Sequence, residues 1–206
     1  MNLISRNKDC IDNLSNNEKL YKIKKFPIFM GTVKSPKKKD LLADMQFIIN
    51  KSNGMIQLSN LILLKILYKN THTPGTIGKI WEQHHSEFAK FILSTNVKNI
   101  IEIGGSNGIL AEKVTKKKQI KWLIVDPDAS CKNKKIKLKK KFFDKKINLS
   151  FKNKDVVHSH TLEHIYYPDE FLKQLSDKMD LGKKMFISVP NIKQMLKKKY
   201  TNALNF

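Results

Sequence analysis

The stretch Asn99-Ile100-Ile101-Glu102-Ile103-Gly104-Gly105-Ser106-Asn107-Gly108-Ile109-Leu110 is an apolar run that breaks into a glycine turn and resumes with helical spacing. It predicts a buried strand, a tight loop and the start of a helix. Gly104 and Gly108 lack a Cβ, so the backbone can turn sharply there and approach a ligand closely. The amides that open the following helix would then face whatever rests on the loop. A second apolar run, Lys121-Trp122-Leu123-Ile124-Val125, ends in Asp126, an acid at a strand tip and well placed to accept two ribose hydroxyls. Together the two runs describe a nucleoside pocket.

The dinucleotide fingerprint of three spaced glycines is not matched. The order here is Glu-x-Gly-x-x-x-Gly, from Glu102 through Gly104 to Gly108. In this respect the chain resembles the class I S-adenosylmethionine-dependent methyltransferases, whose first motif has this form and whose second strand ends in an acid. The resemblance continues through Lys154-Asp155-Val156-Val157-His158-Ser159-His160-Thr161-Leu162-Glu163-His164, the helical run Phe171 to Leu175, and Met185-Phe186-Ile187-Ser188-Val189-Pro190-Asn191. These read as strand four, its following helix and strand five.

The resemblance implies an α/β fold: a doubly wound, mainly parallel, Rossmann-like sheet of order 3-2-1-4-5 with helices on both faces. It implies S-adenosyl-L-methionine as cofactor, held by Gly104, Gly105, Ser106, Gly108 and Asp126. Glu102 would orient the loop or reach the cofactor amine through water. Ser106 stands where relatives often have a middle glycine. Phe143 and Asp144, closing a third strand after the lysine-rich segment Cys131 to Lys141, become candidate adenine contacts, with Phe143 alternatively plain core. His158 joins the cofactor set, or sits in the core as a satisfied histidine.

Methyl transfer to a hydroxyl requires that its proton be removed, a task suited to histidine. His160 and His164, beside Glu163 at the end of strand four, are the candidate bases. A metal is the weaker reading: His158 and His160 would share a side of the strand, but no acid cluster completes a site. Cys10 and Cys131 stand too far apart in sequence for a Cys-x-x-Cys pair, so neither a disulfide framework nor a zinc site is expected.

With 206 residues, 40% of them hydrophobic, the chain can fill one α/β domain plus a small extension. The net charge of +22 invites a nucleic-acid reading, yet Arg6 is the one arginine among 40 basic residues. Base-edge and phosphate recognition favours the bidentate arginine fork, so solvated lysine faces are the simpler account. An RNA-binding or catalytically impaired relic of the fold stays as the alternative. No run approaches the ~20 apolar residues of a membrane span, and the N-terminus lacks a secretory pattern, so a cytoplasmic protein is expected.

Residues 1–75 form an N-terminal extension in this reading. Phe26 to Gly31 and Met45 to Ile49 look like strands around a Lys37-Lys38-Lys39 loop, and Ile56 to Tyr68 reads as a helix broken at Thr73-Pro74-Gly75. A helix from Gly78 to Leu93, with Ile80, Trp81, His84, His85, Phe88, Phe91 and Ile92 on a broad stripe, leads residues 76–206 into strand one. Upstream, Gly54 to Leu58 with Tyr68, His72, Trp81 and His84-His85 resembles methyltransferases of bacterial sugar and capsular-polysaccharide clusters. This points to a sugar, nucleotide-sugar or glycan-linked acceptor. The family's last two strands are missing after Phe206, which would leave Met185 to Val189 as an open edge prone to self-association.

Overall fold

The structure is a computed structural model that describes residues 3–28, 41–67, 78–144 and 146–198. The chain divides into two compact units, one of residues 1–73 with 191–206 and the other of residues 74–190.

In the first unit, β1 (Leu3–Ser5), β2 (Asn17–Pro27), β3 (Leu42–Asn50), β4 (Ile56–Leu58) and β5 (Asn60–Ile62) precede a single helical turn, α1 (Leu64–Leu67). Strands β2, β3 and β4 form an antiparallel sheet, and β1 pairs antiparallel with β5. The helix expected over Ile56 to Tyr68 is therefore two short strands followed by one helical turn. Gly54, at φ +75°, closes a tight turn in which the Asn50 amide donates to the Met55 carbonyl at 2.9 Å, and the chain folds back with Ile56 opposite Ile49. A short apolar run carries no decisive period, and the turn residue decides its form. Gln57 is buried, with Oε1 accepting from the Cys10 amide and Nε2 donating to the Lys8 carbonyl. The strand expected from Phe26 begins earlier, at Asn17. Its end at Phe29 to Gly31, the Lys37 to Lys39 loop, Tyr68, His72 and Thr73 to Gly75 lie outside the described residues.

The second unit runs α2 (Lys79–Leu93), β6 (Asn99–Ile103), α3 (Ile109–Thr115), β7 (Lys121–Val125), β8 (Lys137–Lys139), β9 (Asp155–Ser159), a 3₁₀ turn (Leu162–His164), α4 (Pro168–Lys178) and β10 (Met185–Ser188). All its strands are parallel, in the order β8-β7-β6-β9-β10, which in order of appearance is 3-2-1-4-5. Consecutive residues of β6 point to opposite faces. Accordingly Ile100 packs with Phe88, Ile92, Leu110 and Val114 on one side, while Ile101 and Ile103 pack with Phe171 and Leu175 on the other. Helix α5 (Ile192–Lys197) follows β10.

Two local expectations change. The third strand is Lys137–Lys139, and Phe142-Phe143-Asp144 lie beyond it, because the Lys141 amide turns back onto the Lys139 carbonyl and ends the pairing with β7. On α2 the buried stripe is narrower than its apolar residues suggest: His85, Phe88, Ala89 and Ile92 are buried, whereas Ile80 and Phe91 are exposed.

Candidate active site

The turn after β6 is packed from below and braced from the side. Gly104, at φ +76°, donates its amide to the Val125 carbonyl at 3.0 Å, and a Cβ there would run into the Thr161 side chain. At Gly105 a Cβ would lie 2.7 Å from Glu102 Cδ and 2.9 Å from Ile124 Cγ2. Ser106 adopts φ 42°, a conformation that strains a residue with a Cβ by about 1–2 kcal/mol. Two bonds hold it there: its amide donates to Asp126 Oδ2 at 3.1 Å, and its carbonyl accepts from the Ser130 amide at 2.8 Å. Gly108, at φ +71°, presents its bare Cα to Cys131, whose Sγ would sit 2.9 Å from an added Cβ.

Two carboxylates flank the turn. Asp126 is half-buried, and burial pushes its carboxyl above the usual range against the amides of Asp128 and Ser106, which donate to it and pull it back. Its Oδ1 takes the Asp128 amide at 2.7 Å. An ionised carboxylate offers about four acceptor positions, so roughly two remain for a ligand's hydroxyls. Glu102 is buried, its Oε2 accepts from Trp122 Nε1 at 2.8 Å, and burial raises its pKa to about 7. It supports Gly105 directly from beneath.

Beside this loop, at the carboxyl ends of β9 and β10, lies a cluster of rings and hydroxyls. His160, at φ 49°, has its ring centroid 4.7 Å from that of Trp81 and 4.8 Å from that of His84, both edge-on, and its Nδ1 lies 3.4 Å from Glu163 Oε1. His84 Nε2 is 3.0 Å from Ser159 Oγ and 3.5 Å from Ser188 Oγ. Thr161 fastens the turn to the glycine loop, its Oγ1 lying 3.2 Å from both the Ile103 and the Ser159 carbonyl oxygens. The ring cluster and the glycine loop thus share one five-residue turn, Ser159 to Glu163.

A family model described as a methyltransferase domain matches residues 79–204. The chain belongs to this methyltransferase family. Among solved structures it is similar to the plantazolicin methyltransferase BpumL in complex with monoazolic desmethylPZN analog and SAH, at 16% identity and a TM-score of 0.43 over 56% of this chain and 49% of that one. The same enzyme in complex with SAH gives 12% identity and a TM-score of 0.41 over 55% and 48%, and with a pentazolic analog and SAH 15% and 0.43 over 65% and 55%. The match spans about half the length of those chains. No curated protein matches significantly. Among the described residues, no helix is long and apolar enough to cross a membrane.

As a methyltransferase-domain site, the region has to be tested against S-adenosylmethionine, and the residues present fit it: a half-buried acid with unused acceptor positions stands at the tip of β7, tied to the glycine turn by the Ser106 amide. The other expected site residues are dispersed. Phe143 packs edge-on against Phe171 and Phe151 within the core below α4, and Asp144 is exposed, its Oδ1 accepting from the Lys146 amide. His164 lies half-buried in the 3₁₀ turn, its amide donating to the Thr161 carbonyl. His158 is fully enclosed, its ring against Phe171 and neither nitrogen bonded. It packs on the α4 side, whereas His160 turns to α2, so the two do not share a side, and among the described residues no group of His, Cys, Asp and Glu could hold a metal. The positive φ of His160 ends the strand alternation on which the shared side depended.

The sequence reading left Trp81, His84, Ser159, Ser188 and Thr161 out of the site. The signal for His84 was its place in an otherwise apolar helix stripe; the serines carried none until β9 and β10 were paired.

The enclosed histidine makes stability pH-dependent. Burial lowers the His158 pKa to about 4 from 6.5, so the folded state prefers it neutral, and its contribution is complete above pH 6.5 and lost as pH falls to 4. Glu102 acts oppositely, losing stability as pH rises from 4.5 to 7. Replacing His158 with Leu should lower the slope of unfolding free energy against pH between 4.5 and 6.5 by about one proton, roughly 1.4 kcal/mol per pH unit. At pH 7.5 the variant should be at least as stable as the parent, because a neutral imidazole must carry one N–H and this one has no acceptor. Urea unfolding across that range checks both statements; an unchanged slope would refute the assignment.

Proposed function

We propose that the chain is an S-adenosylmethionine-dependent methyltransferase that methylates a hydroxyl of a small or glycan-linked acceptor. The observation that carries this reading is the single turn joining the braced glycine loop and Asp126 to the His160–Glu163 pair. When bound, S-adenosylmethionine supplies a methyl group activated by its sulfonium. Asp126 accepts the ribose hydroxyls with its remaining acceptor positions, and Gly104 to Gly108 form the floor on which the cofactor rests. Glu102 holds that floor in place through Trp122 rather than touching the cofactor.

His160 takes the acceptor's proton. With Nδ1 toward Glu163, its N–H faces the carboxylate and Nε2 is the basic atom. His164 sits in the 3₁₀ turn with its amide donating to the Thr161 carbonyl, and it is assigned to holding the turn. One feature supports a sugar or nucleotide-sugar acceptor. A hollow of about 400 Å³ at the start of α2 and α3 is lined by Lys79 and Lys113, with Glu82 and His85, and suits an acceptor carrying phosphate.

The test is methyl transfer itself, with the intact chain, labelled S-adenosylmethionine and a panel of monosaccharides, nucleotide-sugars and sugar-free hydroxyl compounds. Label should appear in a nucleotide-sugar at pH 7–8. Binding of S-adenosylmethionine with transfer confined to acceptors lacking a sugar would remove the acceptor class and keep the enzyme.

A further inference from the structure

We propose that His84 is a positioning residue for the base: pinned by two serines, it presses edge-on against His160 and keeps that ring turned toward Glu163. This rests on His160 acting as the base. Ser159 and Ser188 are register partners on β9 and β10, and both hydroxyls converge on the same nitrogen of His84. One ring nitrogen carries one proton or one lone pair, so Ser159 at 3.0 Å makes the full bond and Ser188 at 3.5 Å the longer branch, both serines being fixed in place by the sheet ladder. Ring contacts to His85 at 5.4 Å and Phe88 at 5.9 Å leave His84 little freedom to tilt.

What the lock secures is a strained residue. A non-glycine residue at φ 49° relaxes unless its surroundings hold it, and His160 is held twice: its amide donates to the Ser188 carbonyl at 2.8 Å, and its ring lies between Trp81 and His84. The chemistry divides the two histidines by role. Burial, with smaller contributions from His160 and His85, lowers the His84 pKa to about 4, so at neutral pH it is neutral and a poor proton acceptor. It can therefore shape the site without competing for the proton. The charged and titratable groups around the pair are His85 on α2, Lys113 of α3 acting on His85, and Glu163 on the turn.

The experiment follows the imidazole Cε1–H signal of His160 by NMR at pH 7.5 in the full chain, the signal being assigned by its loss in His160→Gln. In His84→Ala, the His160 signal should shift and its Overhauser contacts to the Trp81 ring should be lost, as the ring leaves its place beside Trp81 and Glu163. In His84→Gln, whose side-chain amide can reach the serines, those contacts should return. A folded His84→Ala chain with the parent His160–Trp81 contacts would overturn the proposal. Should that variant not fold, the double change Ser159→Ala with Ser188→Ala removes the pin alone: loss of the His160–Trp81 contacts supports the proposal, and unchanged contacts overturn it. Calorimetry with S-adenosylhomocysteine on the same samples should give affinities within about twofold of the parent; loss of binding in the His84 variants alone would make His84 part of the cofactor site and contradict a positioning role. Absence of binding in the parent would instead overturn the methyltransferase reading, leaving the His84–His160 result standing separately.

Discussion

Replacing His160 with alanine should lower the rate of methyl transfer by about 10²- to 10⁴-fold, the range for loss of a positioned general base, while leaving S-adenosylhomocysteine affinity nearly unchanged. The separation of effects follows from geometry. His160 contacts Trp81, His84 and Glu163, and none of its described contacts is with the glycine loop or Asp126. Glu163→Gln keeps the shape and loses the charge, so its cost should be smaller. Single-turnover rates with bound cofactor separate chemistry from release. If His160→Ala turns over at the parent rate, the acceptor either needs no base or finds another.

Gly105→Ala should lower stability by roughly 2–5 kcal/mol and weaken cofactor binding together with it. A Cβ at this position falls 2.7 Å from the Glu102 carboxyl carbon and 2.8 Å from Oε2, inside any permissible contact. Glu102 cannot yield cheaply, because it is buried and bonded to Trp122. Overpacking costs about 1–3 kcal/mol and a disturbed buried polar contact about as much again. Gly182→Ala is the matched control: at φ +80° it meets nothing within 4 Å, so it should cost about 1–2 kcal/mol of backbone strain alone and leave cofactor binding intact. Urea unfolding gives both values, and equal losses in the two variants would contradict the contact described at Glu102.

The parts of this fold visible in the sequence are those where local pattern and tertiary role agree. Asn99 to Ile103 and Lys121 to Val125 are continuous apolar strands because both faces are covered, and a strand buried on both faces has no polar alternation to blur its limits. The glycine turn was visible because positive φ and close packing both demand glycine. Ile56 to Leu67 was not visible, since a run of isoleucine and leucine suits strand and helix alike until Gly54 folds it onto β3. For the site the division runs along chain separation. Gly104, Ser106 and Asp126 lie just beyond the ends of two strands that the motif already joins. His84 reaches Ser188 across 104 positions, and that contact exists only because β10 lies beside β9 and α2 covers their ends. His158 and His160 show the limit of strand alternation: one residue at positive φ sends the second ring to the opposite layer from the first.

The central claim is that the glycine turn and Asp126 hold S-adenosylmethionine, and calorimetric titration of the intact chain with S-adenosylhomocysteine tests it most directly. The account predicts one site per chain, weakened in Asp126→Ala by about 1.5–3 kcal/mol, the range for hydrogen bonds to a charged group. No heat of binding in the parent chain, or equal affinity in the parent and in Asp126→Ala, would contradict it.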